Sequence, residues 1–213
     1  MENLKLRLER ENDCREVEML TREAFWNVHV PGCDEHFILH NIRNSEDFIP
    51  ELDFVAEVGG RILGHIAYTH GVIENDNGEK YKVICFGPIS VHPDFQKRGI
   101  GSELVRYSLN KAKDMGFEAV CIYGDPRYYS RFGFRCGERY NIKTSDGMYA
   151  VALMALELKP GALQGIKGRF VESSSFEAEK EEFDIFESTF PHKEKKETYS
   201  QTEFKILSSL RYK

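Results

Sequence analysis

The segment Val91–Gly101 (VHPDFQKRGIG) places a strand end, a tight turn, a glycine-rich loop and a helix start next to one another. The preceding Tyr81–Val91 is rich in β-branched and apolar residues, which predicts a buried strand. Apolar residues then recur at helical spacing, which predicts a helix from about Gly99 to Met115. Because such a junction directs several backbone N–H groups at one point, the sequence predicts an anion site here.

The glycines of this loop do not by themselves identify the anion. A dinucleotide-binding fingerprint would need a third glycine at the position of Leu104. A Walker phosphate loop is approached only by Gly59–His65 (GGRILGH), where histidine stands in place of the lysine. Gly59-Gly60 is instead typical of a hairpin turn between two strands, Phe54–Val58 and Arg61–Ile73.

Gly87-Pro88 interrupts the strand that leads into the loop. Proline cannot donate a hydrogen bond to a sheet ladder, and glycine weakens one. A bulge or a splayed strand edge is therefore predicted at this point.

Two motifs give the chain a family resemblance. Gln96–Gly101 (QKRGIG) matches the Q/R-x-x-G-x-G/A pyrophosphate motif of the GCN5-related N-acetyltransferase (GNAT) superfamily, and Tyr129–Phe134 (YSRFGF) matches its Y-x-x-x-G-F element. The sequence around both motifs is most similar to the YhbS-type bacterial members, over about residues 3–160. The resemblance implies an α/β (α+β) acyl-CoA N-acyltransferase fold. This fold has a mixed, mostly antiparallel twisted sheet that is flanked by helices and splayed between strands 4 and 5.

The same resemblance implies acetyl-CoA as the cosubstrate. It places the donor on strand and loop residues Ile89, Ser90, Val91, Gln96, Lys97, Arg98, Gly99, Ile100, Gly101 and Ser102. Backbone N–H groups of the loop would hold the pyrophosphate, and the strand would pair with the pantetheine arm. Because Pro88 has no N–H, the amide of Ile89 is the expected donor to the thioester carbonyl.

Tyr129 is the expected general acid, because it falls on the tyrosine of the second motif. A phenol with a pKa of about 10 would protonate the departing thiolate as the bond breaks. Two alternatives stay open: the neighbouring Tyr128 could take this role, or Tyr129 could serve packing alone.

The general base is not identified by a motif. Many members of the superfamily carry a glutamate on the strand before the loop, where this chain has Cys85. His65 is a candidate base, acting through water, although a single histidine on a strand is more often structural. Glu35 and Glu57 are weaker candidates.

No metal site is expected. His36 and His40 share a predicted helix face, but Phe37 takes the glutamate position of an H-E-x-x-H motif and no third ligand is evident. The five cysteines are scattered without a C-x-x-C pair, which predicts free thiols in a reducing compartment.

The chain is expected to divide into a GNAT domain at residues 1–160 and a C-terminal extension at residues 161–213. Further predicted strands are Leu4–Leu8, Ala119–Tyr123, Gly133–Cys136 and Tyr149–Leu158, and further predicted helices are Asp13–Asn27, Glu35–Ile42, Pro126–Phe132 and Gln201–Leu210. Aromatic residues between Phe183 and Phe190 argue against a disordered extension. It is expected to pack on the domain as a strap, as a lid over the acceptor site or as a dimer contact.

The composition favours an ordinary soluble enzyme. A net charge of −6 disfavours a nucleic-acid surface. No apolar run reaches membrane-spanning length, and the N-terminal segment does not resemble a signal peptide. We therefore expect a cytoplasmic monomer or homodimer with neither nucleic-acid nor membrane partners.

Together these features predict an N-acetyltransferase. It would transfer an acetyl group from acetyl-CoA directly to a primary amine of a small molecule or peptide. The alternative is a non-catalytic acyl-CoA-binding sensor or partner-binding module on the same fold, because the strand lacks a carboxylate. The acceptor itself is not predicted by the sequence.

Overall fold

A computed structural model describes residues 4–213, so the first three residues of the predicted GNAT domain lie outside it. Its strands are β1 Lys5–Leu8, β2 Phe54–Val58, β3 Arg61–Glu74, β4 Lys80–Val91, β5 Ala119–Tyr123, β6 Arg135–Cys136, β7 Ile142–Lys143, β8 Tyr149–Ala150, β9 Leu153–Glu157, β10 Gly168–Val171 and β11 Arg211–Tyr212. The main sheet runs in the order β1-β2-β3-β4-β5-β9-β6, with β10 beside β3 and β7 beside β10. Strands β8 and β11 pair separately.

Helices cover both faces of this sheet. They are α1 Cys14–Phe25, α2 Glu35–Arg43, α3 Ile100–Asp114, α4 Pro126–Tyr129, α5 Lys180–Glu187 and α6 Tyr199–Ser209. Apolar residues of α1 and α2 pack on one face, against Val55 and Ala67 among others. Helix α3 packs on the opposite face, where a Cβ at Gly64 would lie 2.9 Å from Ile100 and 3.0 Å from Leu104. Glycine at this position therefore lets the helix lie directly on β3.

Strands β4 and β5 run parallel but pair at one position only, Ile84 with Val120. Other neighbours of the central sheet are antiparallel, so the predicted mixed, splayed sheet is confirmed. In the β3–β4 ladder, Ile66 pairs with Ile89 and Tyr68 with Phe86. Gly87 and Pro88 thus lie opposite the single residue Ala67, which is the bulge that the sequence predicts.

Near the C-terminal end of the sheet, the observed strands are shorter than expected. The predicted strand Tyr149–Leu158 is divided into β8 and β9, because the Val151 N–H donates to the Leu210 carbonyl at 3.0 Å instead of continuing a sheet ladder. The predicted strand Gly133–Cys136 begins only at Arg135, because Gly133 is left-handed with a φ of 95° and ends a helical turn.

The C-terminal segment, residues 161–213, is tied to the rest of the chain along its length. Its strand β10 joins the sheet beside β3, where a Cβ at Gly168 would overlap the Glu74 backbone. Helix α5 packs on α2, and β11 pairs with β8. Strands β7, β10 and β11 and helix α5 were not expected from the sequence. No helix within residues 4–213 is both long and apolar enough to span a bilayer.

Candidate acyl-donor and acceptor site

The predicted anion loop makes a sharp turn between β4 and α3. Gln96 Nε2 donates to the Val91 carbonyl at 3.1 Å and ties the loop to the strand end. Lys97 and Gly99 adopt the left-handed conformation, with φ angles of 59° and 92°. Because glycine adopts this conformation without a Cβ clash, the chain can turn at Gly99 directly into the helix.

Five consecutive backbone N–H groups are free at this turn. From Arg98 to Ser102, none donates to a protein acceptor within residues 4–213, and the first helical bond runs from Glu103 N–H to the Gly99 carbonyl at 3.0 Å. The positive end of the helix dipole lies at the same place, and Lys97 and Arg98 are exposed beside it. The loop can therefore bind an anion such as a pyrophosphate through backbone amides.

Strand β4 presents its backbone, rather than polar side chains, to the gap between β4 and β5. Ile89 and Val91 point to the α3 face, where they lie close to Gly101. Ser90 points to the opposite face, and its Oγ lies 3.1 Å from Thr21 Oγ1. Beyond the single β4–β5 pair, the edge of β4 toward β5 has no partner strand in the described part of the chain. An extended ligand could pair with this edge as an additional strand.

A cavity of about 610 Å³ lies at this gap. We call it the central cavity. Its lining includes Phe86, Ile89, Tyr128 and Tyr129, together with Phe25, Glu35, Ile38, Cys85 and Glu172. In the ladder, Phe86 pairs with Tyr68, whose hydroxyl reaches Ser108 of α3, so Phe86 points to the α3 face. Cys85 alternates with it and points to the α1–α2 face. The central cavity is therefore reached from both faces of the sheet.

The two adjacent tyrosines of α4 point to different places. The Tyr129 ring packs 5.8 Å from the Phe86 ring, and a Cβ at Gly124 would overlap it. Tyr128 instead places its hydroxyl 3.2 Å from the position of a Cβ on Gly101, beside the anion loop. Burial raises the pKa of Tyr129 above its ordinary value, so its phenol stays protonated at neutral pH.

Glu172 supplies a carboxylate that was not expected from the sequence. It directly follows β10, lines the central cavity and has no hydrogen-bond or ion-pair partner within residues 4–213. Burial, and then repulsion from Glu177, raise its pKa from 4.5 to about 7. Its charge in turn contributes, after burial, to the raised pKa of the Cys85 thiol. The C-terminal segment thus brings a carboxylate to the place where β4 has a cysteine.

No strong sequence signal marks Glu172. The strand before it has four residues, Gly168–Val171, which is too short for an alternating pattern to stand out. The only hint is the turn residue Gly168 followed by an aromatic and a β-branched residue. Its position beside Cys85 depends on the pairing of β10 with β3, which is a long-range contact.

The structure does not bring His65 to the central cavity. This histidine is fully buried on the α1–α2 face, and its Nε2 lies 2.6 Å from Asp53 Oδ1. Burial lowers the pKa of His65, which makes it a weak base. Ligand atoms of His65, Asp53 and Glu9 lie within 4.8 Å of one another, but Arg43 Nε donates to Glu9 at 2.9 Å. The Arg43 guanidinium already supplies this cluster with the positive charge that a metal ion would bring.

The remaining predicted candidates are divided between the cavity and other surroundings. Glu35 lines the central cavity. Glu57 is ion-paired with Arg7 at 2.8 Å, on the outer strands of the sheet. His36 hydrogen-bonds Glu187 at 2.8 Å, whereas His40 hydrogen-bonds Glu18 at 3.1 Å, so the two histidines do not share a ligand position.

Helix α6 forms one wall of the central cavity. Glu203, Phe204 and Leu207 line it, and the Phe204 ring stacks on His29 with centroids 4.3 Å apart. The helix is held from both ends: Thr198 donates to the Asn27 carbonyl at 2.7 Å, and β11 pairs with β8. The C-terminal segment therefore shapes the side of the cavity that lies away from the anion loop.

Comparison with known proteins agrees with this geometry. The model of the acetyltransferase (GNAT) family matches residues 13–134, which is more than half of the chain. The chain belongs to the GNAT acetyltransferase family. Its fold and the family resemblance of its two motifs are thereby confirmed.

Individual GNAT relatives match most of the chain. The uncharacterized N-acetyltransferase YhbS of Escherichia coli is 26% identical over 164 residues, which cover 76% of this chain and 92% of that protein. A crystal structure of the E. coli protein with CoA superposes with a TM-score of 0.71 at 24% identity, covering 81% of this chain and 91% of that one. A GNAT acetyltransferase from Brucella melitensis, crystallised with acetyl-CoA, has a TM-score of 0.66 at 27% identity, covering 83% of this chain and 100% of that one.

Proposed function

We propose that the protein transfers the acetyl group of acetyl-CoA directly to a primary amine, with Glu172 as general base and Tyr129 as general acid. One observation carries this proposal. The central cavity holds a carboxylate that has no partner among residues 4–213 and a pKa of about 7, together with a buried, protonated phenol. Aminolysis of a thioester needs one group to accept a proton and one to donate a proton.

The donor would bind on the α3 face. The free amides from Arg98 to Ser102 would hold the pyrophosphate, with Gln96 fixing the loop and Lys97 adding charge. The backbone of residues 89–91 would pair with the pantetheine arm along the open edge of β4. Acetyl-CoA bound to the B. melitensis relative supports this choice of donor.

The amine would enter from the α1–α2 face. It arrives as an ammonium ion and must lose a proton before it can attack. Glu172 is suited to accept this proton, because burial brings its pKa to about 7. A carboxylate at the ordinary glutamate pKa would be a much weaker base for this step.

The chemical step would then consist of addition of the amine to the thioester carbonyl followed by loss of the thiolate. The amine nitrogen attacks the thioester carbonyl, whose oxygen gains negative charge that the Ile89 N–H can stabilise. As the tetrahedral intermediate collapses, the carbon–sulfur bond breaks and the thiolate takes the Tyr129 proton. The nitrogen gives up its second proton, which restores the Tyr129 phenol, and Glu172 releases the proton of the ammonium ion to solvent. The products are an N-acetyl amine and free CoA.

The test follows the release of free CoA thiol with a panel of primary amines. In Glu172→Gln, kcat should fall about 100-fold at pH 7.5, since general bases contribute roughly 10²–10⁴. The wild-type kcat/KM should rise with pH through about 7, because the base of the free enzyme acts when it is deprotonated, and this rise should be lost in the variant.

Tyr129→Phe should lower kcat about tenfold with little change in KM. Tyr128→Phe is the matched control, because it removes a hydroxyl from the neighbouring residue, which points to the anion loop. A larger kcat loss in Tyr128→Phe than in Tyr129→Phe would exchange their roles.

The second candidate function is the non-catalytic acyl-CoA-binding module. The lack of a carboxylate on β4 favours it, whereas Glu172 argues against it. Tight binding of acetyl-CoA without thiol release for any amine would overturn the enzyme proposal in favour of this module.

A further inference from the structure

The central cavity carries a second carboxylate besides Glu172. Glu35, the first residue of α2, lines the cavity, and its side chain is 15% exposed. Its Oε1 lies 2.8 Å from His29 Nδ1. Its Oε2 is buried and has no hydrogen-bond partner among residues 4–213. A carboxylate oxygen without a partner is costly to bury, and a turn of this side chain that brings the oxygen to a cationic ligand in the cavity would remove this cost.

Glu35 and Glu172 share the central cavity with several large apolar side chains. These are Phe25, Ile38, Phe176, Phe204 and Leu207. Such walls suit a chain of methylene groups rather than a polar or branched acceptor.

Cationic side chains of the lining do not neutralise these two carboxylates. Arg127 pairs with Asp125 at 2.7 Å, and Arg211 pairs with Asp146 at 3.0 Å. Within residues 4–213, His29 alone forms an ion pair with Glu35, through the other oxygen. Glu203 also lines the cavity but pairs with Arg127 at 4.0 Å. The cavity thus offers two acidic positions without a lysine or arginine partner in the described part of the chain, which complements a ligand with two positive charges.

We propose that the acceptor is a small aliphatic diamine or polyamine. Its reactive amine meets Glu172, its methylene chain lies on the apolar wall, and its second ammonium donates to Glu35. A monoamine of the same length leaves the Oε2 atom without a partner, and an acidic acceptor meets two like charges. This inference rests on the function proposed above, since it concerns the acceptor of that reaction.

The test compares amines that differ only in the second charge. The probes are 1,4-diaminobutane and 1,5-diaminopentane against butylamine and pentylamine, with CoA thiol release as the readout. After correction for the two equivalent amines of a diamine, the wild-type kcat/KM should favour the diamines at least tenfold.

Glu35→Gln removes one charge and keeps the shape of the side chain. It should reduce the preference for the diamine to less than threefold, mainly by raising the KM of the diamine. Glu46→Gln removes the same charge from the exposed loop that follows α2 and should keep the preference. Thermal melting and CoA titration of each variant show whether α2 and the donor site are intact.

The outcomes separate this inference from the proposed function. Thiol release without a preference for diamines, or a preference that survives Glu35→Gln, would overturn the inference and leave the acetyltransferase in place. A preference that is lost in Glu203→Gln instead would overturn the assignment to Glu35. If no amine in the panel releases thiol, the proposed function fails as well.

Discussion

The donor side and the acceptor side of the central cavity are built in opposite ways. The donor side is one continuous piece of chain, residues 89–102, and it offers the backbone of β4 and the free amides at a helix start. The acceptor side combines side chains from α1, α2, β4 and the C-terminal segment, which are far apart in sequence. Backbone recognition is encoded in a short local pattern, whereas a constellation of side chains exists only after the chain has folded.

The largest effect is expected from a charge placed in the donor loop. Gly101→Asp would put a carboxylate beside the bound pyrophosphate, and its Cβ would lie 3.2 Å from the Tyr128 hydroxyl. Two like charges about 4 Å apart near a protein surface repel by about 4 kcal/mol, so the affinity for CoA should fall about 10³-fold. Titration calorimetry with CoA measures this change.

Asn110→Asp is the matched control, because it adds the same charge to the exposed side of the same helix. Its CoA affinity should stay within about twofold of the wild type. Undiminished affinity in Gly101→Asp, in a protein that melts normally, would show that the pyrophosphate of CoA does not bind at this loop.

The donor loop and the central strands could be predicted from the sequence. Their causes are local: the β-branched run of β4, the interruption at Gly87-Pro88, the glycines of the loop and the apolar face of α3. A family motif covers the same residues. Each of these signals lies within a window of about fifteen residues, where periodicity and turn chemistry are informative.

The acceptor side could not be predicted, for physical reasons. Glu172 follows a strand of four residues whose place depends on pairing with β3, roughly a hundred residues earlier. His65 lies on a strand near the loop but points to the opposite face and is fully buried against Asp53. Nearness to the motif in sequence therefore wrongly suggested His65 and gave no indication of Glu172.

A smaller effect is expected from loosening the C-terminal segment. Arg22 has a side chain that is 2% exposed, and its guanidinium pairs with Glu187 of α5, which also accepts from His36. Glu187→Ala leaves this buried charge without a partner, so the free energy of unfolding should fall by about 3 kcal/mol. Urea unfolding measures the loss.

The same variant separates the two sides of the cavity. Since α5 packs on α2, which carries Glu35, kcat/KM for the amine should fall about tenfold while CoA affinity stays within twofold. Glu181→Ala removes a charge from the exposed face of the same helix and should change neither quantity. An equal loss of CoA affinity in Glu187→Ala would show that the two sides are not independent.

The smallest effect concerns the free energy of unfolding, which ionisation of the buried Glu172 lowers. Glu172 has a pKa of about 7 in the folded protein against an ordinary value of 4.5, so between these values the folded state binds more protons than the unfolded state. Its contribution to stability is therefore lost as the pH rises from about 5 to above 7.

Glu172→Gln cannot ionise, and at pH 8 it should be more stable than the wild type by about 1 to 3 kcal/mol. At pH 5 the gain should fall below about 1 kcal/mol, and Glu181→Gln should show no gain at either pH. Thermal melting of the ligand-free proteins at both pH values measures the difference.

A gain that is equal at pH 5 and pH 8 would mean that packing, not charge, distinguishes the variant. A gain confined to high pH, in the variant that has also lost its rate, would assign the energetic cost of catalysis to one buried carboxylate on the acceptor side, since the amides that the donor loop offers to the proposed anion are neutral and carry no such cost.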